Sequence, residues 1–181
     1  MIIEQTKIDG VLLIKPTIYE DERGYFFESY RDDNFKKIGL SGKFSQDNQT
    51  KSKKGTLRGL HYQLNYAQGK LVRVSLGEVY DVAVDIRLNS PTFGKYYGTV
   101  LSDNNHFQMY VPPGFAHGYI VRSEIAILQY KCTEVYHPED EYGIRWNDPK
   151  VSIEWDITNP IISVRDKELP LLSNQKNLPI Y

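Results

Sequence analysis

The chain has 181 residues and a formal charge of −1, from 22 Lys and Arg against 23 Asp and Glu. The length fits one domain, 1–181, and the balanced charge lacks the basic excess of a protein that neutralises nucleic-acid phosphates. Cys132 is the only cysteine, which excludes an intrachain disulfide and a cysteine zinc site.

Met1-Ile2-Ile3-Glu4-Gln5-Thr6-Lys7 has no basic start leading into a long apolar stretch, so no signal peptide is read there. No apolar run approaches the ~20 residues that cross a bilayer. A cytoplasmic protein without membrane contact is expected. Residues 11–14 form a short apolar run, and residues 25–30 alternate with Phe26, Glu28 and Tyr30 on one strand face. A helix is predicted over 32–38, capped by Asp32 or Asp33 and ended by Gly39. Residues 70–76 place Lys70, Val72, Val74 and Leu76 on one face. Residues 78–87 place Tyr80, Val82, Val84 and Ile86 opposite Asp81, Asp85 and Arg87. Residues 125–135 are β-branched and alternating. Turn residues such as Asn89-Ser90-Pro91 and Pro112-Pro113-Gly114 separate these runs. Many short strands at this spacing indicate an all-β sandwich or barrel. From Asn147 onward four prolines predict a wrapping coil with a short strand or helix.

Four histidines are present: His61, His106, His117 and His137. Alternation puts His61 with Leu57, Gly59 and Gln63, a face suited to a barrel interior. There a histidine is either hydrogen-bonded core or a functional base. His117 follows a rigid Pro-Pro-Gly turn and has the same two readings. His106 and His137 lie in polar loops and are expected on the surface. A paired His-x-His metal motif is missing, because Tyr62 and Gln63 follow His61. Lys70 either points into the barrel, where an ammonium needs a partner or ligand, or reaches back to the rim. Tyr130 shares a face with Ala126, Leu128 and Cys132, as core or as a proton donor. Gln46 and Asn48 share another face and suit a base edge, a sugar or an internal ladder. Arg23 and Arg58 are phosphate clamps or surface ion pairs. No glycine-rich phosphate loop and no serine-hydrolase elbow occur.

The string Gly55-Thr56-Leu57-Arg58-Gly59-Leu60-His61-Tyr62-Gln63, followed by Gln68-Gly69-Lys70-Leu71-Val72, closely resembles the dTDP-4-dehydrorhamnose 3,5-epimerase family. Further matching blocks include Asp21-Glu22-Arg23-Gly24-Tyr25-Phe26-Phe27-Glu28, Val82-Ala83-Val84-Asp85-Ile86-Arg87, Pro112-Pro113-Gly114-Phe115-Ala116-His117-Gly118 and Ser163-Val164-Arg165-Asp166. They run in order from near residue 20 to near residue 170. The resemblance implies a cupin jelly roll with a few short flanking helices, a homodimer, no metal and no cofactor. It implies inversion of carbons 3 and 5 of dTDP-4-dehydro-6-deoxy-glucose, both acidified by the 4-keto group. Relatives that epimerise one carbon would share the same proton-transfer residues, and a non-catalytic binder would be expected to lack them.

By the same resemblance His61 is the general base and Asp166 its orienting partner. Lys70 stabilises the enolate oxygen, and Tyr130 returns a proton from the opposite face. Arg23, Arg58 and His117 contact the diphosphate or sugar. Gln46, Asp47 and Asn48 form the nucleotide-binding strand. Phe26 and Glu28 contact the nucleoside, often across the dimer, and Glu141 is a binding position. Arg165 departs from the family's Lys before the Asp, keeping the charge on a longer, forked side chain. Strict alternation sets Arg58 and His61 on opposite faces, and a bulge at Gly59 would bring them into one site.

Overall fold

The computed structural model describes residues 1–40 and 44–181. Its strands are β1 (Ile2–Gln5), β2 (Leu12–Lys15), β3 (Tyr19–Asp21), β4 (Gly24–Phe26), β5 (Gln46–Lys53), β6 (Leu57–Gln63), β7 (Lys70–Leu76), β8 (Glu78–Asp85), β9 (Tyr96–Ser102), β10 (Gln108–Val111), β11 (Phe115–Val121), β12 (Ile125–Cys132) and β13 (Glu141–Gly143). Helix α1 spans Asp32–Lys37 and α2 spans Val164–Lys167. Two antiparallel sheets face each other, in orders β1-β2-β10-β7-β12-β5 and β13-β6-β11-β8-β9, with β3 and β4 as a separate ribbon. Distant segments pair throughout, as β10 does with both β2 and β7. This is the interleaving of a jelly roll.

The space between the sheets is filled by inward residues of both: Val72 and Val74, Val79 and Ala83, Leu101, Met109, and Ala126 and Leu128. The five-stranded sheet is covered on its outer face as well. There Leu57, Leu60, Tyr62, Val82, Val84, Ile86 and Ile120 pack against Ile144, Val151, Trp155 and Leu172 of the C-terminal coil. Burying each such side chain contributes ~1.5–3 kcal/mol, enough for a few anchors to hold a coil that makes little ladder pairing. The buried Asp148 carboxylate pins the same coil, accepting the amides of Lys150 (2.8 Å), Val151 (3.1 Å) and Leu172 (2.6 Å).

Three local expectations are corrected. The alternation over 25–30 continues as strand only to Phe26. Beyond it Tyr30 turns in against Phe35 and Phe44, and Glu28 pairs with Arg31 beside α1. Helix α1 takes Arg31, without a side-chain cap, as its N-cap, so Asp32 and Asp33 occupy the first turn instead. Those carboxylates still suit the positive helix end. His106 is 8% exposed rather than on the surface, because the rings of Tyr25 and Phe27 pack over it at 4.4 and 5.1 Å.

The expected irregularity at Gly59 is present. His117 pairs with His61 and Tyr119 with Arg58, so three steps along β6 oppose two along β11. Gly59 has φ +119°, and a Cβ there would meet Gly118 Cα at 2.6 Å and the His117 carbonyl at 2.7 Å. Gly59→Ala is therefore expected to lower the melting temperature by roughly 2–10 °C, from about 1–3 kcal/mol of strain, and to reduce turnover. A thermal melt unchanged from wild type would show that the strands absorb the clash.

Candidate active site

Between the sheets lies a cavity of about 650 Å³. From the five-stranded wall, Arg58, His61, His117 and Tyr119 reach into it. From the six-stranded wall come Gln46, Asn48, Thr50, Lys70 and Tyr130. The bulge places Arg58 and His61 on the same side of β6, while Leu57, Leu60 and Tyr62 pack outward.

His61 Nε2 lies 2.9 Å from Asp166 Oδ1. The second oxygen of Asp166 accepts the Gly59 amide at 3.2 Å, and the Ser163 hydroxyl caps α2 by accepting the Asp166 amide at 3.1 Å. Burial pushes the Asp166 carboxyl up. The His61 imidazole, the Gly59 amide and the Ser163 hydroxyl overcome that and hold it below the usual carboxylate value. The imidazole is partly open at 24% side-chain exposure, while Asp166 is closed off at 7%. Such a pair can accept a proton at the ring and balance the resulting charge from behind.

On the facing wall burial pushes the Tyr130 phenol up to about 12, so it carries its proton at neutral pH. Lys70 pairs across the ladder with Cys132. Burial lowers its pKa, opposed by Cys132, Glu141 and Asp81. Lys70 lines the cavity together with Tyr130, so it points into the barrel rather than to the rim. It can stabilise negative charge developing on a carbonyl oxygen. Arg58, Arg165 and the two histidines extend this basic lining, with Glu141 bound to Arg165 and, at 2.9 Å, to the Tyr136 hydroxyl.

The expected nucleotide strand divides by its pleat. Gln46 and Asn48 face the cavity, whereas Asp47 points to the outer face and pairs with Lys131 at 2.9 and 3.0 Å. Arg23, Phe26 and Glu28 are not in this chain's cavity. Arg23 is bound to Asp21 with 85% of its side chain exposed, Phe26 is 66% exposed, and Glu28 lies near α1. Among the described residues no three His, Cys, Asp or Glu side chains converge as a metal site. No helix among them is long and apolar enough to cross a membrane.

The model of the dTDP-4-dehydrorhamnose 3,5-epimerase family matches residues 5–174. The chain belongs to this family. The dTDP-4-dehydrorhamnose 3,5-epimerase of Salmonella typhimurium is 50% identical over 95% of this chain and 96% of its own. That of Methanothermobacter thermautotrophicus is 47% identical over 98% and 96%. A crystal structure of the Legionella pneumophila dTDP-6-deoxy-D-glucose-3,5-epimerase in complex with dTDP-4-keto-L-rhamnose superposes with a TM-score of 0.96. It is 48% identical and covers 99% of this chain and 97% of that one. The protein is thus an isomerase of the 3,5-epimerase type on a cupin jelly roll.

One buried group of this epimerase is placed on a strand face by its sequence but given no role there. Asp81 is fully buried on the inner face of β8, 2.9 Å from His117 Nε2, so the second histidine also has a carboxylate behind it. Its other oxygen has no partner among the described residues. The sequence signal was an acid set among Val79, Val82, Ala83 and Val84. A strand covered on both faces leaves such an acid no route to solvent.

The depressed Asp166 pKa has a consequence for stability. A carboxyl held below its unfolded value, ~3.9, stabilises the fold above that pH and loses the contribution as pH falls through the folded value. The melting-temperature gap between wild type and Asp166→Asn should therefore shrink below about pH 4. A gap that stays constant from pH 7 to 3 would contradict the pairing.

Proposed function

We propose that His61 and Tyr130 take and return the protons in the 3,5-epimerisation of dTDP-4-dehydro-6-deoxy-glucose to dTDP-4-dehydro-rhamnose. The observation that carries this reading is their opposition: an imidazole on one sheet and a phenol on the other line one cavity. Inversion requires that opposition, since a single group returning its own proton to the same face restores the starting isomer. His61 removes the proton from a carbon beside the ketone, and the electron pair moves onto the carbonyl oxygen. Lys70 stabilises that oxyanion, Asp166 balances the imidazolium, and Tyr130 protonates the carbon from the other face. The second carbon beside the ketone follows the same course. Arg58, His117 and Arg165 hold the diphosphate, and Gln46 and Asn48 hold the nucleoside end of the substrate.

The active unit is a homodimer in this reading. The exposed ribbon β3–β4 carries Arg23 and Phe26 away from its own cavity, with Glu28 just beyond it. A second copy would receive those side chains as its nucleoside contacts. A cytoplasmic location fits one buried, unpaired thiol and a nucleotide-activated substrate.

In deuterated water the enzyme should incorporate solvent hydrogen at both carbons 3 and 5. Incorporation at one carbon alone would identify a mono-epimerase. His61→Ala should lower turnover by about 10²–10⁴-fold with nucleotide binding retained, and Lys70→Ala should lower kcat far more than it raises KM. Full activity in His61→Ala would remove the base assignment. For the dimer, Phe26→Ala should raise KM for the sugar nucleotide while sedimentation still reports two chains. A monomer with wild-type KM would overturn the shared site.

A further inference from the structure

A second phenol stands in the cavity with no part in the proton transfers. Tyr119 is 5% exposed, lies on the inner face of β11 and lines the cavity with Tyr130. Its ladder partners are Arg58 on β6 and Asp81 on β8. Its hydroxyl does not stay with that sheet. It crosses the barrel to the Thr50 hydroxyl of β5, 2.7 Å away. Beside it Arg58 Nε donates across the same gap to the Ser52 hydroxyl at 3.3 Å.

These bonds tie the wall that carries His61 to the wall that carries Tyr130. Thr50 sits opposite Leu128 on β12, and the neighbouring pair along the same face is Asn48 with Tyr130. Tyr119 sits next but one to His117, which is the ladder partner of His61. The tie therefore closes one pleat away from the acid on one side and from the base on the other. A phenylalanine ring at 119 would fill the same space, so the hydroxyl is not needed for packing. Burial pushes the Tyr119 phenol up, which keeps it neutral and available as a hydrogen-bonding spacer.

We propose that Tyr119 is a positioning residue, acting through Thr50 to set the distance across the cavity between the proton acceptor and the proton donor. The inference rests on the assignment of His61 and Tyr130 given above. Its signature differs from that of a structural hydrogen bond. When the donor wall drifts from the ring, His61 still removes the proton, and the enolate recaptures one from the same side more often. Solvent exchange then continues while inversion falls.

The experiment measures deuterium incorporation and epimerised product together, using dTDP-4-dehydro-6-deoxy-glucose in deuterated water. Tyr119→Phe should lower turnover about 10-fold, as small misplacements of reacting groups do, and raise the ratio of exchange to inversion with KM within about twofold. Thr50→Val should move the ratio by the same factor, Thr50→Ser should restore it, and the double variant should be no worse than either single one. Tyr130→Phe serves as the reference for exchange without inversion. If Tyr130→Phe leaves inversion intact, the donor assignment falls and this inference with it. If Tyr130→Phe behaves as stated while Tyr119→Phe loses only thermal stability and keeps the wild-type ratio, the bond is structural and the inference alone is overturned.

Discussion

The buried carboxylate of Asp166 is where the fold and the chemistry meet. Its two oxygens are used by different parts of the chain, one by the His61 ring and the other by the Gly59 amide. That amide is free of the ladder only because β6 carries an extra residue there. The bulge thus does two things at once. It turns Arg58 and His61 to the same side, and it exposes a backbone donor that fixes the carboxylate behind the imidazole. The carboxylate is itself delivered by α2, set within a coil that Val151, Trp155 and Leu172 hold against the outside of the same sheet. Distant stretches of sequence therefore have to be folded before His61 has its carboxylate partner.

A jelly roll suits this chemistry for a geometric reason. Its two sheets present inward side chains to each other across the barrel, so groups on opposite faces of a flat substrate come from opposite walls without any loop having to reach. The cost is that the wall residues are desolvated. Lys70 and Tyr130 feel it in opposite senses, the ammonium pushed towards neutrality and the phenol held protonated. For the phenol that is the state its proposed role requires. For the ammonium, Cys132, Glu141 and Asp81 resist the shift and favour the charged form.

Much of the architecture was legible from sequence because period-2 patterns are strong where β-branched residues alternate. The run 70–76 corresponds residue for residue to β7, and the 125–135 run to β12, which stops at Cys132. What alternation could not say was which face is inside. On β8 the apolar face of Val82, Val84 and Ile86 is the outer one, covered by the C-terminal coil, while Asp81 faces inward. A sheet buried on both sides makes the polar face as much core as the apolar one. The same limit applies to Gln46-Asp47-Asn48, a contiguous block in sequence that the pleat sends to two different surfaces. Arg23 and Phe26 read as site residues and are exposed on the ribbon, and nothing in one chain's pattern says which cavity an outlying ribbon serves.

The proton inventory of the proposed cycle explains why one dyad member is open and the other closed. Each inversion leaves His61 with an added proton and Tyr130 short of one, so the pair is in the wrong state for the second carbon. The reset must pass through water or other exchangeable groups, because the substrate lies between acid and base. His61 keeps a quarter of its side chain accessible while Asp166 is nearly sealed. That opening faces the cavity, so in the proposed cycle the ring exchanges its proton with cavity water when no sugar ring covers it, and the sealed carboxylate stays unscreened. A base closed off as tightly as Asp166 would hold the abstracted proton and return it to the carbon it came from. A carboxylate as open as the ring would lose the desolvated contact that keeps it ionised and aligned. In the proposed cycle the difference in exposure across this 2.9 Å contact separates two tasks, proton exchange at the ring and charge balance at the carboxylate.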